Sequence, residues 1–226
     1  MRSDPTRGKQ IQGYEAFESS IRDAARSYWG EGFGKDSLSG KERNRFFLNR
    51  GGKQFADLSG LSGLDHLGDG RALALLDYDH DGWQDVAVVN ANAPKLTLYH
   101  NEINALSGDR KSVAIRLVGG NHAAAASNEW SNRDGIGARI ITDVAGGTVV
   151  RHVQAGEGFS AQNSNTLLIA LGDQKNLEKL VVHWPSGKSQ VAHNLTAGTL
   201  VTIFEIPAQA TGLDGNVETG VVVAPY

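Results

Sequence analysis

The residues of this chain best suited to chemistry are four aspartates in one short stretch. Residues 77–85 read Asp-Tyr-Asp-His-Asp-Gly-Trp-Gln-Asp. Alternating aspartates can turn successive carboxylates toward one centre, and Ca²⁺ takes six to eight oxygen ligands at roughly 2.3–2.6 Å. This spacing therefore predicts a Ca²⁺ site. Its ligands would be the side chains of Asp77, Asp79 and Asp81, the backbone carbonyl of Trp83, and Asp85 directly or through water.

The surroundings of this loop favour strands rather than helices. Gly82 lies at the sharp turn, where a Cβ would obstruct the chain. The loop follows the first nine positions of an EF-hand, but Val88 stands at position twelve, where an EF-hand carries a bidentate Glu. The flanking residues 71–76 and 86–90 are short, apolar and partly β-branched, as strands are. We therefore predict a Ca²⁺ loop between two strands, with an acidic, solvated turn as the alternative.

The composition excludes several classes of function. The chain has 226 residues, a net charge of −3 and no cysteine. It therefore has no basic footprint for nucleic acid, and it can form neither a disulfide nor a thiolate metal site. No apolar run approaches the roughly 18 residues of a membrane span. Residues 1–12 lack the apolar region of a signal peptide, so either the chain is cytoplasmic or the sequence begins after processing.

The N-terminal half of the sequence predicts a helix followed by a blade-like unit. Apolar residues recur at helical spacing in residues 14–28, with charged residues on the other faces, which indicates one amphipathic helix. Residues 45–104 contain an internal echo, because residues 46–49 resemble residues 97–101. Short strands at such a period are typical of a propeller blade. A lone blade cannot bury both of its faces, so this one must pack on the rest of the chain or on a partner.

The chain from residue 112 onward predicts short strands separated by glycine turns, a rhythm typical of a β-sandwich or small barrel. The predicted strands are 113–118, 138–143, 148–153, 166–171, 180–183 and 200–206. The fold class is therefore all-β, with a single propeller-blade-like repeat packed on a β-sandwich or barrel-like domain and one N-terminal amphipathic helix. The predicted segments are 1–41 for the helix and a polar linker, 42–104 for the repeat, 105–206 for the second domain, and 207–226 for a tail.

Several motifs resemble known families. Residues 71–101 resemble an FG-GAP or VCBS-type repeat, in which the sequence D-x-D-x-D-G-x-x-D joins two short apolar strands. Residues 112–205 resemble the ASPIC/UnbV domain through three motifs in the same order. These motifs are Ser-Asn-Arg-Asp-Gly-Ile-Gly-Ala at 131–138, Gly-Glu-Gly-Phe-Ser-Ala-Gln-Asn-Ser at 156–164 and His-Trp-Pro-Ser-Gly at 183–187. The chain is thus similar to the cartilage acidic protein-like family, although it carries one repeat where typical members carry several.

The resemblance implies an extracytoplasmic, Ca²⁺-binding protein linked to adhesion. We therefore expect a non-catalytic interaction or structural protein, acting as a subunit of, or an adhesion module for, a larger periplasmic, cell-surface or secreted assembly. Its partner would be a protein or a larger assembly, without nucleic acid and without a transmembrane segment. One alternative is a Ca²⁺-dependent carbohydrate-binding module with a glycan as its ligand. The other is an accessory protein or enzyme of natural-product biosynthesis.

Two polar segments of the second domain leave alternatives open. In residues 131–137, Asn132 and Asp134 could hold a second cation, or they could cap a tight turn while Arg133 pairs with a carboxylate. The hydroxyl and amide groups of residues 160–164 could bind sugar hydroxyls, or they could form hydrogen bonds with the backbone of their own loop.

The remaining candidates do not indicate catalysis. None of the seven histidines belongs to a compact ligand set, and the sequence contains neither a P-loop nor a G-x-S-x-G elbow. His80 lies between predicted ligands and is expected to point to solvent. His183 is expected to pack in the core or at a sheet edge. The apolar tail residues 221–223 could add a strand to a neighbour's sheet, or they could pack on their own domain or be disordered.

Overall fold

The computed structural model describes residues 23, 42–91, 93–103, 112–206 and 220–226. Within these residues the protein is nearly all β, as predicted, and the predicted helix 14–28 lies outside them apart from Asp23, which is helical. No helix among these residues is long and apolar enough to cross a membrane. In chain order the elements are β1 (Phe47–Arg50), β2 (Gln54–Asp57), α1 (Ser59–Ser62), β3 (Gly70–Leu76), β4 (Asp85–Asn90), β5 (Leu96–Tyr99), β6 (Ser112–Val118), β7 (Arg139–Val144), β8 (Gly147–His152), β9 (Leu167–Ala170), β10 (Asn176–His183), β11 (Ser189–Thr196), β12 (Thr199–Phe204) and β13 (Val221–Pro225).

The first part of the chain forms two small antiparallel sheets. β1 and β2 make a hairpin, and β3, β4 and β5 make a three-stranded meander with β4 in the centre. The central strand, Asp-Val-Ala-Val-Val-Asn, is rich in β-branched residues, which suit a position between two neighbours. Residues 77–84 join β3 to β4. The meander therefore has the strand–loop–strand arrangement that the sequence predicts.

The second part forms two four-stranded sheets. One has the strand order β11-β10-β7-β8 and is antiparallel throughout. The other has the order β13-β12-β6-β9, in which β6 pairs parallel to β12 and antiparallel to β9. β6 is the first strand of this part of the chain and β12 is one of the last. Their pairing therefore brings the beginning and the end of this part together in one sheet.

The core contains apolar side chains from both four-stranded sheets. Ile140 and Val182 from one sheet, and Ile115 and Val201 from the other, are all fully buried in one cluster. Burying one such side chain is worth about 1.5–3 kcal/mol relative to leaving it exposed. The polar atom of buried Trp184 is satisfied, because its Nε1 donates a hydrogen bond of 2.5 Å to Gln190 Oε1. This sandwich is the scaffold that holds the polar loops at its ends.

Two strands of the C-terminal part were not predicted from the sequence. β11 contains Gln190, His193 and Asn194 among its apolar residues, which obscures its alternation. β13 comes from the predicted tail and pairs antiparallel with β12 of its own sheet. Residues 221–225 therefore pack on their own domain, and the alternative in which they extend a neighbour's sheet does not hold for this structure.

Hydrogen bonds join the meander to the sandwich at the end of β3. The amide of Leu75 donates to Asn163 Oδ1 at 2.8 Å, and the carbonyl of Leu75 accepts from the amide of Ser164 at 2.9 Å. A third contact runs from Ser112 Oγ to the carbonyl of Gly82 at 3.2 Å. The loop after β3 is thus held against one end of the sandwich.

Candidate metal site and adjoining cleft

The acidic loop, residues 77–85, leaves β3 and ends at the first residue of β4. Its sharp turn contains two residues in the left-handed region, His80 with φ of 59° and Gly82 with φ of 80°. Glycine adopts this conformation without steric cost, whereas a residue with a Cβ is strained there. Gly82 therefore occupies the turn that the sequence assigns to it.

The carboxylates of the acidic loop converge in two overlapping groups. Asp77, Asp79 and Asp85 each place one carboxylate oxygen within 4.8 Å of the others. Asp79 and Asp81 form a second group of the same size with His100, which follows β5. A hard cation requires several oxygens around one centre. The loop thus brings together oxygen ligands of the type that Ca²⁺ prefers.

Backbone amides of the acidic loop hold these carboxylates in place. Asp77 accepts hydrogen bonds from the amides of Asp81 at 3.0 Å and Gly82 at 2.7 Å. Asp81 accepts one from the amide of Trp83 at 2.8 Å, and Asp79 accepts one from the amide of Asp81 at 3.1 Å. Short polar side chains that bind nearby amides are a common way of shaping a turn. The shape of the loop therefore depends on the aspartates themselves.

Asp85 is the most deeply buried of these carboxylates, with 0% exposure. Its Oδ2 accepts from the amide of Tyr78 at 3.1 Å, and its Oδ1 accepts from the amide of Asn101 at 2.8 Å. Within the described residues, the contact of His100 Nε2 at this loop is with Asp79 and not with Asp85. Burying a carboxylate without a countercharge is costly, and a cation held beside it offsets that cost. The residues of the loop therefore fit a bound Ca²⁺.

One loop residue, His80, departs in detail from the sequence expectation, and a second, Trp83, has a buried indole that the expectation did not include. His80 is exposed, but it does not simply point to solvent, because its ring stacks on Tyr226 with centroids 5.0 Å apart. Trp83 lies beside the predicted ligands, and its indole Nε1 is buried without a hydrogen-bond partner among the described residues. The role of the Trp83 carbonyl as a ligand stays a prediction.

His100 is a residue of this site that the sequence reasoning missed. Its Nε2 lies 3.2 Å from Asp79 Oδ2, and its ring meets Tyr78 edge to face with centroids 5.6 Å apart. In the sequence His100 comes 21 positions after Asp79, and the strands β4 and β5 lie between them. Only the pairing of β4 with β5 brings it to the loop, so no local pattern could have identified it.

The turn at residues 131–137 is held by contacts among its own side chains and backbone. Asn132 closes it twice, because its Oδ1 accepts from the amide of Ile136 at 2.9 Å and its Nδ2 donates to the carbonyl of Ile136 at 2.8 Å. Arg133 pairs with its neighbour Asp134 at 2.9 Å, and its hydrogen bond holds the pKa of that exposed carboxyl below its usual value. Asn132 caps the turn and Arg133 pairs with a carboxylate, as the structural alternative predicts, but that carboxylate is Asp134, for which no capping hydrogen bond is seen among the described residues.

Glu205 joins two of the family-like motifs and was not singled out from the sequence. Its carboxylate accepts from the amide of Ser131 at 2.7 Å, from the amide of Gly120 at 2.9 Å and from Ser186 Oγ at 2.5 Å. Lys188 Nζ, which lies 3.6 Å from the centroid of the Trp130 ring, approaches it at 3.3 Å. The motif at 131–138 and the motif at 183–187 therefore meet at one buried carboxylate.

The pKa of Glu205 reports the balance of these contacts. Burial raises the pKa, but the hydrogen bonds from Ser186, the two amides and Lys188 outweigh it, so the pKa lies below its usual value. The carboxylate is therefore held in its charged form. Its partners come from three separate segments, so its role is to fix their relative positions.

The polar segment 160–164 uses its amide side chains within the protein. Gln162 Oε1 accepts from the amide of Gly156 at 2.5 Å, and its Nε2 donates to the carbonyl of Gln154 at 3.0 Å. Asn163 accepts from Leu75 through Oδ1 and donates to Glu157 through Nδ2. The bonds to the backbone of Gly156, Gln154 and Leu75 match the alternative of hydrogen bonding to backbone, and they leave these two amides committed to structure.

A cleft of about 810 Å³ lies between the acidic loop and the open side of the sandwich. Trp83 and Gln84 line it from the loop, while Arg151 and His152 line it from the end of β8. β9 supplies a third wall through Leu167 and its neighbours. Its walls thus combine backbone, amide, charged and aromatic groups, as ligand-binding clefts do.

No curated protein matches the chain. Residues 128–210 match the model of a protein family described as ASPIC and UnbV. The matched segment contains β7 to β12 and both motifs that meet at Glu205. By this match, the C-terminal part of the protein is similar to the ASPIC and UnbV family.

Proposed function

We propose that this protein is a Ca²⁺-stabilised, non-catalytic interaction module, and that its acidic loop belongs to an FG-GAP/VCBS-type repeat. The observation that carries this proposal is the burial of Asp85 beside two other carboxylates. Its fully buried carboxylate lies within 4.8 Å of Asp77 and Asp79 oxygens, beside a turn formed by Gly82. A divalent cation at this centre would neutralise charges that otherwise repel one another.

In this proposal each residue of the loop has a separate task. Asp77, Asp79 and Asp81 supply carboxylate oxygens, and the amide of Asn101 orients Asp85. Ca²⁺ would fix the β3–β4 connection and, through the bonds between Leu75 and the segment 163–164, its position on the sandwich. We assign no reaction to the loop, because its carboxylates are committed to backbone amides and to the ion.

The proposed setting is extracytoplasmic, with a protein partner or a larger assembly. The similarity of residues 128–210 to the ASPIC and UnbV family supports this setting. Extracellular Ca²⁺ modules bind the ion with dissociation constants of about 10⁻⁴–10⁻³ M, which a short loop with few carboxylates can achieve. In this proposal the ion stiffens the fold of a module with an adhesion or scaffolding role.

Thermal unfolding with chelator and with a series of Ca²⁺ concentrations tests the proposal. At 100 times the dissociation constant the ion should add about 2.7 kcal/mol to the free energy of unfolding, which is roughly 5–10 °C for a protein of this size. Asp79→Ala and Asp81→Ala should lower the melting temperature and abolish its Ca²⁺ dependence. Asp85→Asn, which keeps the shape and removes the charge, should also abolish that dependence.

Glu178→Gln supplies the matched control, because Glu178 is an exposed carboxylate on β10. This variant should respond to Ca²⁺ as the parent does. If the parent melts at the same temperature with Ca²⁺ and with chelator, the acidic loop is a solvated turn and the proposal fails.

A further inference from the structure

Residues of an edge strand, β9, line the cleft beside the acidic loop. β9 is the last strand of its sheet, and no described strand pairs with its outer side. Residues from β9 line the cleft together with Thr166, which precedes it. Edge strands present backbone amides and carbonyls that can pair with another chain. The cleft therefore offers main-chain hydrogen-bonding groups as well as side chains.

The composition of β9 differs from that of a protected edge. Its sequence is Leu-Leu-Ile-Ala, which contains no charge and no proline. Natural edges usually carry lysine, proline or a bulge that blocks further pairing. The edge strand β13 ends in Pro225, and the edge strand β8 carries Arg151 and His152. β9 has no such residue, and its shortness, at four residues, is what limits pairing along this edge.

The other walls of the cleft supply groups for the side chains of a ligand. Arg151 and Gln154 lie on one side and are exposed, while Trp83 and Gln84 lie on the other. Glu157 adds an acidic group to the lining. Charges of both signs and an aromatic ring beside an open strand edge suit a polypeptide, whose backbone and side chains need both kinds of contact.

We propose that this cleft binds an extended peptide segment of a partner protein, which adds as a strand to the outer edge of β9. This inference rests on the interaction role proposed above and specifies its partner as a polypeptide. It does not require the acidic loop to bind Ca²⁺. Main-chain pairing with β9 supplies affinity, and the walls at Arg151 and Trp83 select alternate side chains of the peptide.

The first experiment selects binders from a phage-displayed library of random dodecapeptides. One enriched peptide is then synthesised, and its binding to the full chain is measured by fluorescence anisotropy. In a series of peptides that each carry one N-methylated amide, every second methyl group should weaken binding at least tenfold. The intervening ones should have little effect, because alternate amides of an added strand face away from the edge. Equal sensitivity at every position, or none, would overturn strand addition.

A pair of protein variants tests the location. Arg151→Glu, in the wall of the cleft, should change the affinity for the selected peptide at least tenfold. Arg116→Glu makes the same charge change at an exposed position of β6 outside the lining and should leave the affinity unchanged. If both variants bind like the parent, the peptide binds elsewhere and the assignment of the cleft is wrong.

Two further measurements distinguish peptide binding from the proposed Ca²⁺ site and from glycan binding. The anisotropy measurement is repeated with chelator, and melting with Ca²⁺ is measured on the same samples. Peptide binding without a Ca²⁺ response supports the peptide site in the cleft and rejects the Ca²⁺ site in the acidic loop. A Ca²⁺ response without peptide binding supports the Ca²⁺ site and rejects the peptide site. A glycan array probed with the same protein covers the remaining ligand class, and glycan binding that Arg151→Glu removes, without peptide binding, would overturn the proposal.

Discussion

Tyr226 stacks on His80, with ring planes inclined by 18° and centroids 5.0 Å apart. The amide of Tyr226 also donates to the carbonyl of Gly198 at 3.1 Å, in the turn between β11 and β12. The residue that follows β13 is therefore attached to the sandwich and to the acidic loop at the same time. A structural change in the acidic loop can therefore reach β13 through this stacking, and a change in β13 can reach the loop.

This stacking predicts an energetic coupling between the tail and the loop. Tyr226→Ala and His80→Ala should each lower stability, and a double-mutant cycle should give a coupling of about 0.5–1.5 kcal/mol, as for other aromatic pairs. By linkage, Tyr226→Ala should also weaken the affinity for Ca²⁺, measured by calorimetric titration. A coupling energy of zero, with unchanged Ca²⁺ affinity, would show that the stacking has no energetic weight.

The buried Glu205 predicts a loss of stability that depends on pH. Glu205→Gln removes the charge that four donors share, and a hydrogen bond to a charged group is worth about 1.5–3 kcal/mol. Because the folded pKa lies below the usual value, the charged form stabilises the protein above the unfolded pKa, and this stabilisation is lost as pH falls through the folded pKa. Denaturation in urea should therefore show a large deficit for the variant at pH 7 that shrinks below about pH 4.

The comparison is made in chelator, so that the acidic loop contributes equally to both proteins. Glu178→Gln, at an exposed position, should match the parent at both pH values. A deficit of Glu205→Gln that stays constant from pH 7 to pH 3 would mean that the carboxylate is not held in its charged form.

The contact between Asn163 and Leu75 predicts a specific cost for one amide side chain. Asn163→Ala leaves the half-buried Leu75 amide without its partner, which should cost about 1 kcal/mol, the usual net value of a hydrogen bond. Asn165→Ala is the control, because the exposed Asn165 makes only a contact of 3.5 Å with Gln162. Hydrogen exchange at the Leu75 amide should rise in the first variant alone. Equal exchange in both variants would contradict the link between meander and sandwich.

Replacing Gly119 by alanine should lower stability because the added Cβ meets other atoms, and not because of the backbone conformation of Gly119. A Cβ at this position would lie 2.0 Å from the carbonyl oxygen of Asn132, which belongs to the backbone and cannot turn away. Gly119→Ala should therefore cost about 3 kcal/mol or prevent folding, since crowding of this kind forces the backbone to move. Gly146→Ala meets nothing within 4 Å and should change the melting temperature little. Circular dichroism melts of the two variants decide the matter, and equal stability would be incompatible with this packing.

The sequence predicts those features that are encoded locally. Alternating aspartates with Gly82 predicted a loop between two strands, and β3 and β4 begin and end within a residue or two of the predicted limits. Asn132 and Arg133 were also assigned a structural alternative that the structure bears out, because capping a turn depends on residues four apart. The all-β class follows from the short apolar runs and glycine turns.

Contacts between distant segments could not be predicted in this way. His100 reaches Asp79 only because β5 pairs with β4, and Glu205 finds its partners across three loops. β11 escaped notice because Gln190 faces inward to bind the indole of Trp184, so a polar residue stands where alternation expects an apolar one. A single sequence does not state which polar residue is buried, since that depends on what the fold brings beside it.

The parallel pairing of β6 with β12 has a consequence for where the folding unit ends. The family match begins at residue 128, but β6 lies before it and occupies the position between β9 and β12. A fragment cut at residues 128 and 210 would lack Val113 and Ile115 from the core and would separate one sheet into two loose strands. The segment that matches the family model is therefore shorter than the segment that forms the two four-stranded sheets. During synthesis, β6 is the first strand of the two four-stranded sheets to leave the ribosome, and most of their other strands follow before its parallel neighbour β12 exists.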